Sequence, residues 1–242
     1  MITHPHSDRS RQDTAEVRAF FEQWAIYRKI VELDYLNHRG AYEAIDRALA
    51  EIGRPFSFLD LGAGDADCTS RVLAGKPLTS YEAVDLSETA LRLARERTAA
   101  FHCPVRCTQG DFFQFVKTIG EPSDVVFIGL SLHHLVAEDK RAFLPELRRI
   151  VSPGGRLIVY EPIREPGESR DEVLARWWRH AEAAWTALEP EELAKAKEHV
   201  FGNDYPEPIA DYAGMMTAAG FSSAKVLYTD PQELYSVIEA KA

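Results

Sequence analysis

The chain has 242 residues, with 28 Lys and Arg against 38 Asp and Glu for a formal net charge of −10, and 45% of it is apolar. At roughly 100–200 residues per domain this is one large domain or two small ones, and the balance of apolar and charged residues excludes disordered, collagen-like and coiled-coil chains. The longest apolar runs, such as Val125–Leu130, fall far short of the ~20 residues of a membrane span. The acid excess repels nucleic acid and anionic lipid. The opening MITHPHSDRSRQDT lacks the apolar segment of a secretory signal. Cys68, Cys103 and Cys107 are too few for a disulfide scaffold and lack the His/Cys spacing of a zinc site, so no metal is expected. The expected partner is a small molecule in a reducing, cytoplasmic setting, with neither nucleic acid nor membrane involved.

Residues 1–13 are polar and aperiodic and read as a disordered tail. Val17, Phe20, Phe21, Trp24, Tyr27, Val31 and Tyr35 then recur every three or four residues, one apolar face of a long helix. The pattern breaks at Asn37-His38-Arg39-Gly40. Ala41, Ile45, Ala48, Leu49 and Ile52 mark a second helix ended by Gly53 and Pro55. Together they make an N-terminal helical cap over 14–53. From Phe56 the texture changes to short apolar runs bounded by turn residues: Phe56–Leu61, Leu78–Val84, Val105–Thr108, Asp124–Gly129 and Arg156–Tyr160. Helical stretches such as Ser87–Ala99 and Glu138–Val151 lie between them. Strands without strict alternation, separated by helices, predict a doubly wound, mostly parallel α/β sheet covered on both faces.

After Tyr160 the alternation stops. Leu174, Trp177, Trp178, Ala181, Trp185 and Leu188 mark one helix, and Pro190 suits the first turn of another, giving a helical lid insertion over 163–206. A helix over Ile209–Ala219 follows. The runs Ala224–Thr229 and Leu234–Ala240 then predict an antiparallel pair at the sheet edge. The organisation is one domain over 14–242.

The first run leads into Asp60-Leu61-Gly62-Ala63-Gly64. Two glycines past a buried strand permit φ > 0 and let helix N-terminal amides meet a ligand. Alone, that spacing serves a tight turn as well as it serves a cofactor. The second run ends in Val84-Asp85-Leu86-Ser87, and an acid there is placed to take ribose hydroxyls. Ser87 suits a helix N-cap. A dinucleotide fingerprint would need a third glycine where Asp67 stands, and a carboxylate repels a pyrophosphate. With Asp60 and Asp65 it makes the loop acidic, which suits a cofactor with a cationic end.

In this order, the segments resemble the class I S-adenosylmethionine (SAM)-dependent methyltransferases. Leu59–Gly64 is similar to the family's first motif, and Asp85 matches the acid that holds the SAM ribose. Gln109-Gly110-Asp111-Phe112 resembles the segment whose Asp accepts from the adenine amino group while the next residue packs on the ring. Ser131-Leu132-His133-His134-Leu135 is similar to the loop after the fourth strand, and Leu147–Leu157 to the helix, Pro-Gly-Gly turn and fifth strand. The resemblance covers about 56–162 and resumes near 209–240. Many members carry a third glycine where Ala66 stands. The resemblance implies a Rossmann-like seven-stranded sheet with an antiparallel last strand and SAM as cofactor. It also implies cofactor contacts from Asp60, Gly62, Gly64, Asp85, Leu86, Asp111, Phe112 and Leu130.

Transfer from a sulfonium requires the acceptor to be positioned, desolvated and, where needed, deprotonated. His133 and His134 are the candidate catalytic groups, since a neutral imidazole can act as a base near pH 7; a structural core histidine is the competing role. Tyr27, Tyr35, His38 and Arg39 on the cap, with His199 and Asp204 in a loop expected over 199–206, are the candidate acceptor-binding residues. Trp177, Trp178 and Trp185 are expected to pack the lid. Leu130-Ser131-Leu132-His133 replaces the Asn/Asp-Pro-Pro-aromatic segment of nucleobase amine methylation, so the expected acceptor is an oxygen or nitrogen of a small molecule. Two alternatives remain: an NAD(P)-dependent oxidoreductase on a similar fold, disfavoured by Asp67 and by the lack of a Tyr-x-x-x-Lys pair, and a SAM-binding protein that does not methylate. A homo-oligomer contact is the rival role of the cap and lid.

Overall fold

The computed structural model describes residues 24–242, with side chains from Ile26 onward. The expected tail over 1–13, and Val17, Phe20, Phe21 and the Trp24 side chain, lie outside the described residues.

Helix α1 (Trp24–Glu32) ends before Tyr35, where the sequence pattern had carried it. Asp34 and Asn37 both take φ of 59°, a left-handed conformation that Asp and Asn tolerate better than other side chains. Helix α2 (His38–Ala50) then begins inside the segment expected to be the break. Gly40 is part of that helix and not its stop. A Cβ there would lie 2.6 Å from Cζ of Tyr228, so the glycine lets α2 sit directly against the sheet edge.

The sheet elements follow the predicted order: β1 (Phe56–Leu61), α3 (Asp67–Leu73), β2 (Leu78–Asp85), α4 (Glu88–Thr98), β3 (Val105–Gln109), α5 (Phe112–Thr118) and β4 (Ser123–Gly129). A 3-10 turn (Leu132–His134), α6 (Ala137–Ile150) and β5 (Val151–Pro162) come next. The insertion is α7 (Arg170–Ala184) and α8 (Pro190–Asn203); α9 (Ile209–Ala218), β6 (Ser223–Thr229) and β7 (Tyr235–Lys241) complete the chain. Strand β5 is longer than the expected Arg156–Tyr160, because the Pro-Gly-Gly segment stays in the sheet and Val151 pairs with Ser123.

The seven strands are ordered β3-β2-β1-β4-β5-β7-β6. Strands β1 to β5 are parallel, and β7 runs antiparallel between β5 and β6. The fold is the expected Rossmann-like one. Strand order reverses between β1 and β4, and ligands of open α/β sheets bind beyond the carboxyl ends of the strands at such a reversal. Alternate residues face opposite layers. Leu59, Leu61, Val126 and Ile128 pack toward Phe143, Leu147 and Met216, while Phe58, Tyr81 and Phe127 pack on the side of Ile45, Leu49 and Leu91. No helix among the described residues is long and apolar enough to cross a membrane.

The cap is fixed to the sheet by a buried charge. Arg156 on β5 donates to the Ala48 carbonyl of α2 at 2.8 Å and to Glu239 of β7 at 2.6 Å. Removing one partner of such a pair leaves an uncompensated buried ion. Glu239→Ala should therefore lower the unfolding free energy by about 3–5 kcal/mol in urea titration. A loss below about 1 kcal/mol, the size of an exposed pair, would show that Arg156 finds compensation elsewhere.

Candidate active site

The glycine loop leaves β1 with two amides, Gly62 and Ala63, donating to the Val84 carbonyl at 2.8 and 3.1 Å. Gly62 has φ of +71°, and a Cβ on it would fall 2.8 Å from Cβ of Ser131. Both the backbone conformation and the close approach of the β4 turn demand glycine there. Asp85, at the end of β2, accepts from the Gly64 amide and from the Ser87 amide, each at 2.8 Å. Burial raises its pKa against these amide bonds. The Gly110 amide donates to the Asp85 carbonyl at 2.9 Å, which brings the β3 end alongside. Asp111 caps α5 by accepting from Phe113 at 2.9 Å, and Phe112 comes to 3.9 Å of the position a Gly62 Cβ would take. The Leu86 carbonyl accepts from the Gln109 side chain at 3.1 Å. The sheet thus gathers Gly62, Gly64, Asp85, Leu86, Asp111 and Phe112 along three neighbouring strand ends.

The acidity of the loop is smaller than its sequence implies. Asp65 is ion-paired with Arg97 of α4, Asp67 lies 3.5 Å from the same guanidinium, and Arg71 also pairs with Asp67. The loop is therefore less acidic than three carboxylates imply: Arg97 of another helix neutralises Asp65 and reaches Asp67, and Arg71 pairs with Asp67 from one helical turn away. Asp60 is buried and accepts from Tyr81 Oη at 2.9 Å.

Beyond β4, Leu130 takes φ of 51° and its amide donates to the Tyr160 carbonyl at 2.7 Å. The chain then turns through Ser131–His133 around Glu161, a wholly buried carboxylate at the end of β5. Glu161 accepts from the amides of Ser131 (3.1 Å), Leu132 (2.9 Å) and His133 (3.0 Å) and pairs with His133 Nδ1 at 2.6 Å. With Nδ1–H given to the carboxylate, His133 presents the lone pair of Nε2. Burial, aided by the Lys140 charge, pushes His133 down to about 3 and keeps the ring uncharged. Burial likewise lowers His134 well below the usual histidine range, and it brings His199 down to about 3.

A half-open cavity of about 80 Å³ lies at these rings, walled by Tyr27, Leu130, Trp177, Trp185, Val200 and Tyr235 with His133, His134, His199 and Asp204 at one corner. Asp204 Oδ1 is 3.6 Å from His133 Nε2 and 3.5 Å from His134 Nδ1. Burial raises the Asp204 pKa well above the usual carboxylate range. The His134 and His199 rings meet edge to face at 5.3 Å. His199 lies inside α8 and not in the loop expected for it; the helix runs on to Asn203.

Of the other predicted acceptor residues, Tyr27 lines this cavity, while Tyr35, His38 and Arg39 do not. Tyr35 stacks on Trp185 at 5.4 Å and accepts from the Ala187 amide. His38 is buried between Tyr42 and Tyr160, and burial lowers it to about 4. Arg39 is exposed and faces Asp34 at 3.7 Å. The sequence reading missed Glu161, Ser131 and Arg97. Glu161 did carry a signal, an acid directly after an apolar strand, the same signal that marked Asp85. Trp177 and Trp185 pack the lid as expected and also face the cavity.

Asp60 gives the site a pH signature. Burial raises its pKa from 3.8 to about 7, opposed by the Tyr81 hydrogen bond. The folded chain therefore retains a proton that the unfolded chain loses. Stability should fall as pH rises from about 4 to about 7, with no further change from this group above or below. Asp60→Asn should remove that component, seen as a flatter stability–pH curve in urea titrations. An unchanged slope would mean that Asp60 is ionised throughout.

A family profile described as a methyltransferase domain matches residues 58–155. The ubiquinone/menaquinone biosynthesis C-methyltransferase UbiE of Burkholderia cenocepacia (strain HI2424) is 32% identical over 127 residues, 51% of this chain and 50% of that protein. The chain spans about half the length of the curated relatives it matches. Magnesium protoporphyrin IX methyltransferase ChlM of Synechocystis PCC 6803, solved with bound SAH, superposes with a TM-score of 0.65 at 17% identity over 95% of this chain and 99% of that one. The DhpI–SAH complex gives 0.64 at 16% identity, over 94% and 95%. At these identities the solved structures share the fold. Residues 58–155 thus match a methyltransferase-domain profile, and the strand order is the Rossmann-like one that the sequence resemblance implied.

Proposed function

We propose that the chain binds SAM across the ends of β1, β2 and β3 and transfers its methyl group to an oxygen or nitrogen of a small molecule held in the lid cavity. One observation carries the reading. Leu130 and His133 of the turn after β4 wall the cavity, and Ser131 of the same turn lies against Gly62, where an added Cβ would fall 2.8 Å from the Ser131 Cβ. One turn thus borders both the glycine loop and the cavity, which supports an in-line methyl transfer between them. Asp85 receives the ribose hydroxyls, Asp111 and Phe112 the adenine, and the Gly62–Gly64 amides the amino-acid end. His133 and His134 meet the nucleophilic atom of the acceptor. The apolar wall supports a flat, largely uncharged acceptor body. The cavity of about 80 Å³ is smaller than the roughly 300–1,000 Å³ of ligand pockets, so α7 and α8 must move outward to admit it.

A carbon acceptor is the second reading, favoured by the identity to a C-methyltransferase. Incubating the protein with methyl-labelled SAM and a metabolite extract, then locating the label by mass spectrometry and NMR, separates the two.

SAM and S-adenosylhomocysteine should each raise the melting temperature, because a ligand of the native state stabilises by RT ln(1 + [L]/Kd). Asp85→Ala should weaken SAM binding by about 1.5–3 kcal/mol, the range of hydrogen bonds to a charged group, while circular dichroism stays native. Calorimetry checks the affinity. No thermal shift at millimolar cofactor would sink the assignment, and undiminished affinity in the folded variant would confine Asp85 to the loop.

A further inference from the structure

The polar corner of the cavity holds more donor atoms than one acceptor contact needs. One ligand atom from each of His133, His134 and Asp204 lies within 4.8 Å of the others. The Asp204 oxygen is 3.6 Å from His133 Nε2 and 3.5 Å from His134 Nδ1. Ligand atoms about 2.1 Å from a tetrahedral ion stand ~3.4 Å apart, so the two separations from the Asp204 oxygen are those of a coordination shell.

Two further observations point the same way. His134 Nδ1 and Asp204 Oδ1 are buried with no hydrogen-bond partner among the described residues, although a buried polar atom left without a partner is costly. The third ligand is already oriented: Glu161 lies 2.6 Å from His133 Nδ1, the carboxylate–histidine arrangement that stands behind metal-bound imidazoles. Two imidazoles and one carboxylate suit a borderline transition metal and not magnesium or calcium, which prefer all-oxygen sets.

We propose that His133 Nε2, His134 Nδ1 and Asp204 Oδ1 bind one divalent transition-metal ion of the zinc type. The ion joins the turn after β4 to the end of the lid helix α8, with its open position toward the cavity. That this position takes an oxygen of the acceptor rests on the methyl-transfer reading; the binding of the ion does not. Adjacent histidines with an acid seventy residues later have no recognisable metal-ligand spacing, so no metal is expected from the sequence alone.

The test uses the full chain, stripped with a chelator, dialysed and titrated with Co²⁺. One equivalent should bind with intense visible d–d bands and be displaced by Zn²⁺. Asp204→Asn and His134→Ala should each weaken binding by at least about 100-fold, and Glu161→Gln by roughly 10–100-fold, the usual effect of losing the group behind a ligand histidine. Circular dichroism identifies any variant that fails to fold, and the wild-type spectrum decides the question without variants. A spectrum of the free aquo ion would overturn the site. So would wild-type affinity in both folded ligand variants, which would mark an adventitious ion only. A SAM thermal shift on the same samples keeps the readings apart. SAM binding without Co²⁺ binding overturns the ion alone, whereas Co²⁺ binding without a SAM response upholds the ion and overturns the methyl-transfer reading.

Discussion

A single buried carboxylate organises the carboxyl end of this sheet. Glu161 is inaccessible to solvent, and a buried charge is tolerated only when its lone pairs are filled. Here they are filled by three consecutive backbone amides, Ser131 to His133, and by the His133 ring. The turn after β4 is thus wound around the end of β5, and the direction of His133 is set by the sheet and not by a loop. The same winding presses Ser131 against Gly62, so the glycine loop has no room for a side chain there. The amide of Tyr205 closes the arrangement by donating to the His133 carbonyl at 2.8 Å. Cofactor loop, histidine turn and lid share one anchor.

The lid is held unequally at its two ends. Its returning segment meets buried charge: Lys140 of α6 donates to Glu207 at 3.1 Å and to the Tyr205 carbonyl. Arg164 reaches Glu207 at 3.3 Å, and Arg170 reaches the Asp204 carbonyl at 2.7 Å. Breaking such buried pairs is costly. At the opposite end the contacts are Tyr35 stacked on Trp185 and Lys29 paired with Glu192 at 2.8 Å near the surface. An exposed pair is worth at most about 1 kcal/mol. Under the methyl-transfer reading, opening for an acceptor therefore belongs at the Trp185 end, with the Asp204 corner as the fixed side.

What the sequence made legible follows from how local each determinant is. Strand ends are read from apolar runs and the turn residues behind them, so Asp60, Asp85 and Asp111 could each be placed at a carboxyl edge from their neighbours alone. The antiparallel β7 was read from its own run, yet its insertion between β5 and β6 needed the sheet. Gly40 reads as a helix stop because the Tyr228 ring that requires a glycine inside α2 is nearly two hundred residues away. Asp65 and Asp67 read as part of an acidic loop because Arg97, which reaches both, comes from another helix. Tyr35 reads as part of the first helix, and it serves as a clasp only because Asp34 and Asn37 turn the chain left-handed around it. At Gly40 and Asp65 a tertiary contact overrules a sound local inference, whereas at Tyr35 the left-handed backbone of its neighbours does.

Asp85 shows why loop and ligand are not separable in such a site. A carboxylate offers about four acceptor positions, and two amides at 2.8 Å take one on each oxygen. Those amides belong to the glycine loop and to the first turn after β2, so the charge draws both backbone segments to one point. Capacity remains on both oxygens, which is the pattern a vicinal diol would complete under the methyl-transfer reading. The order of these events matters energetically. Because the loop is already gathered around Asp85, a cofactor bears little of the entropy of ordering it, and the cost is met during folding, when burial raises the pKa of that carboxylate. Substituting Asp85 would thus loosen the loop as well as remove a ligand contact, whereas a change at Asp111, whose amide partner belongs to α5 alone, would leave the glycine loop in place.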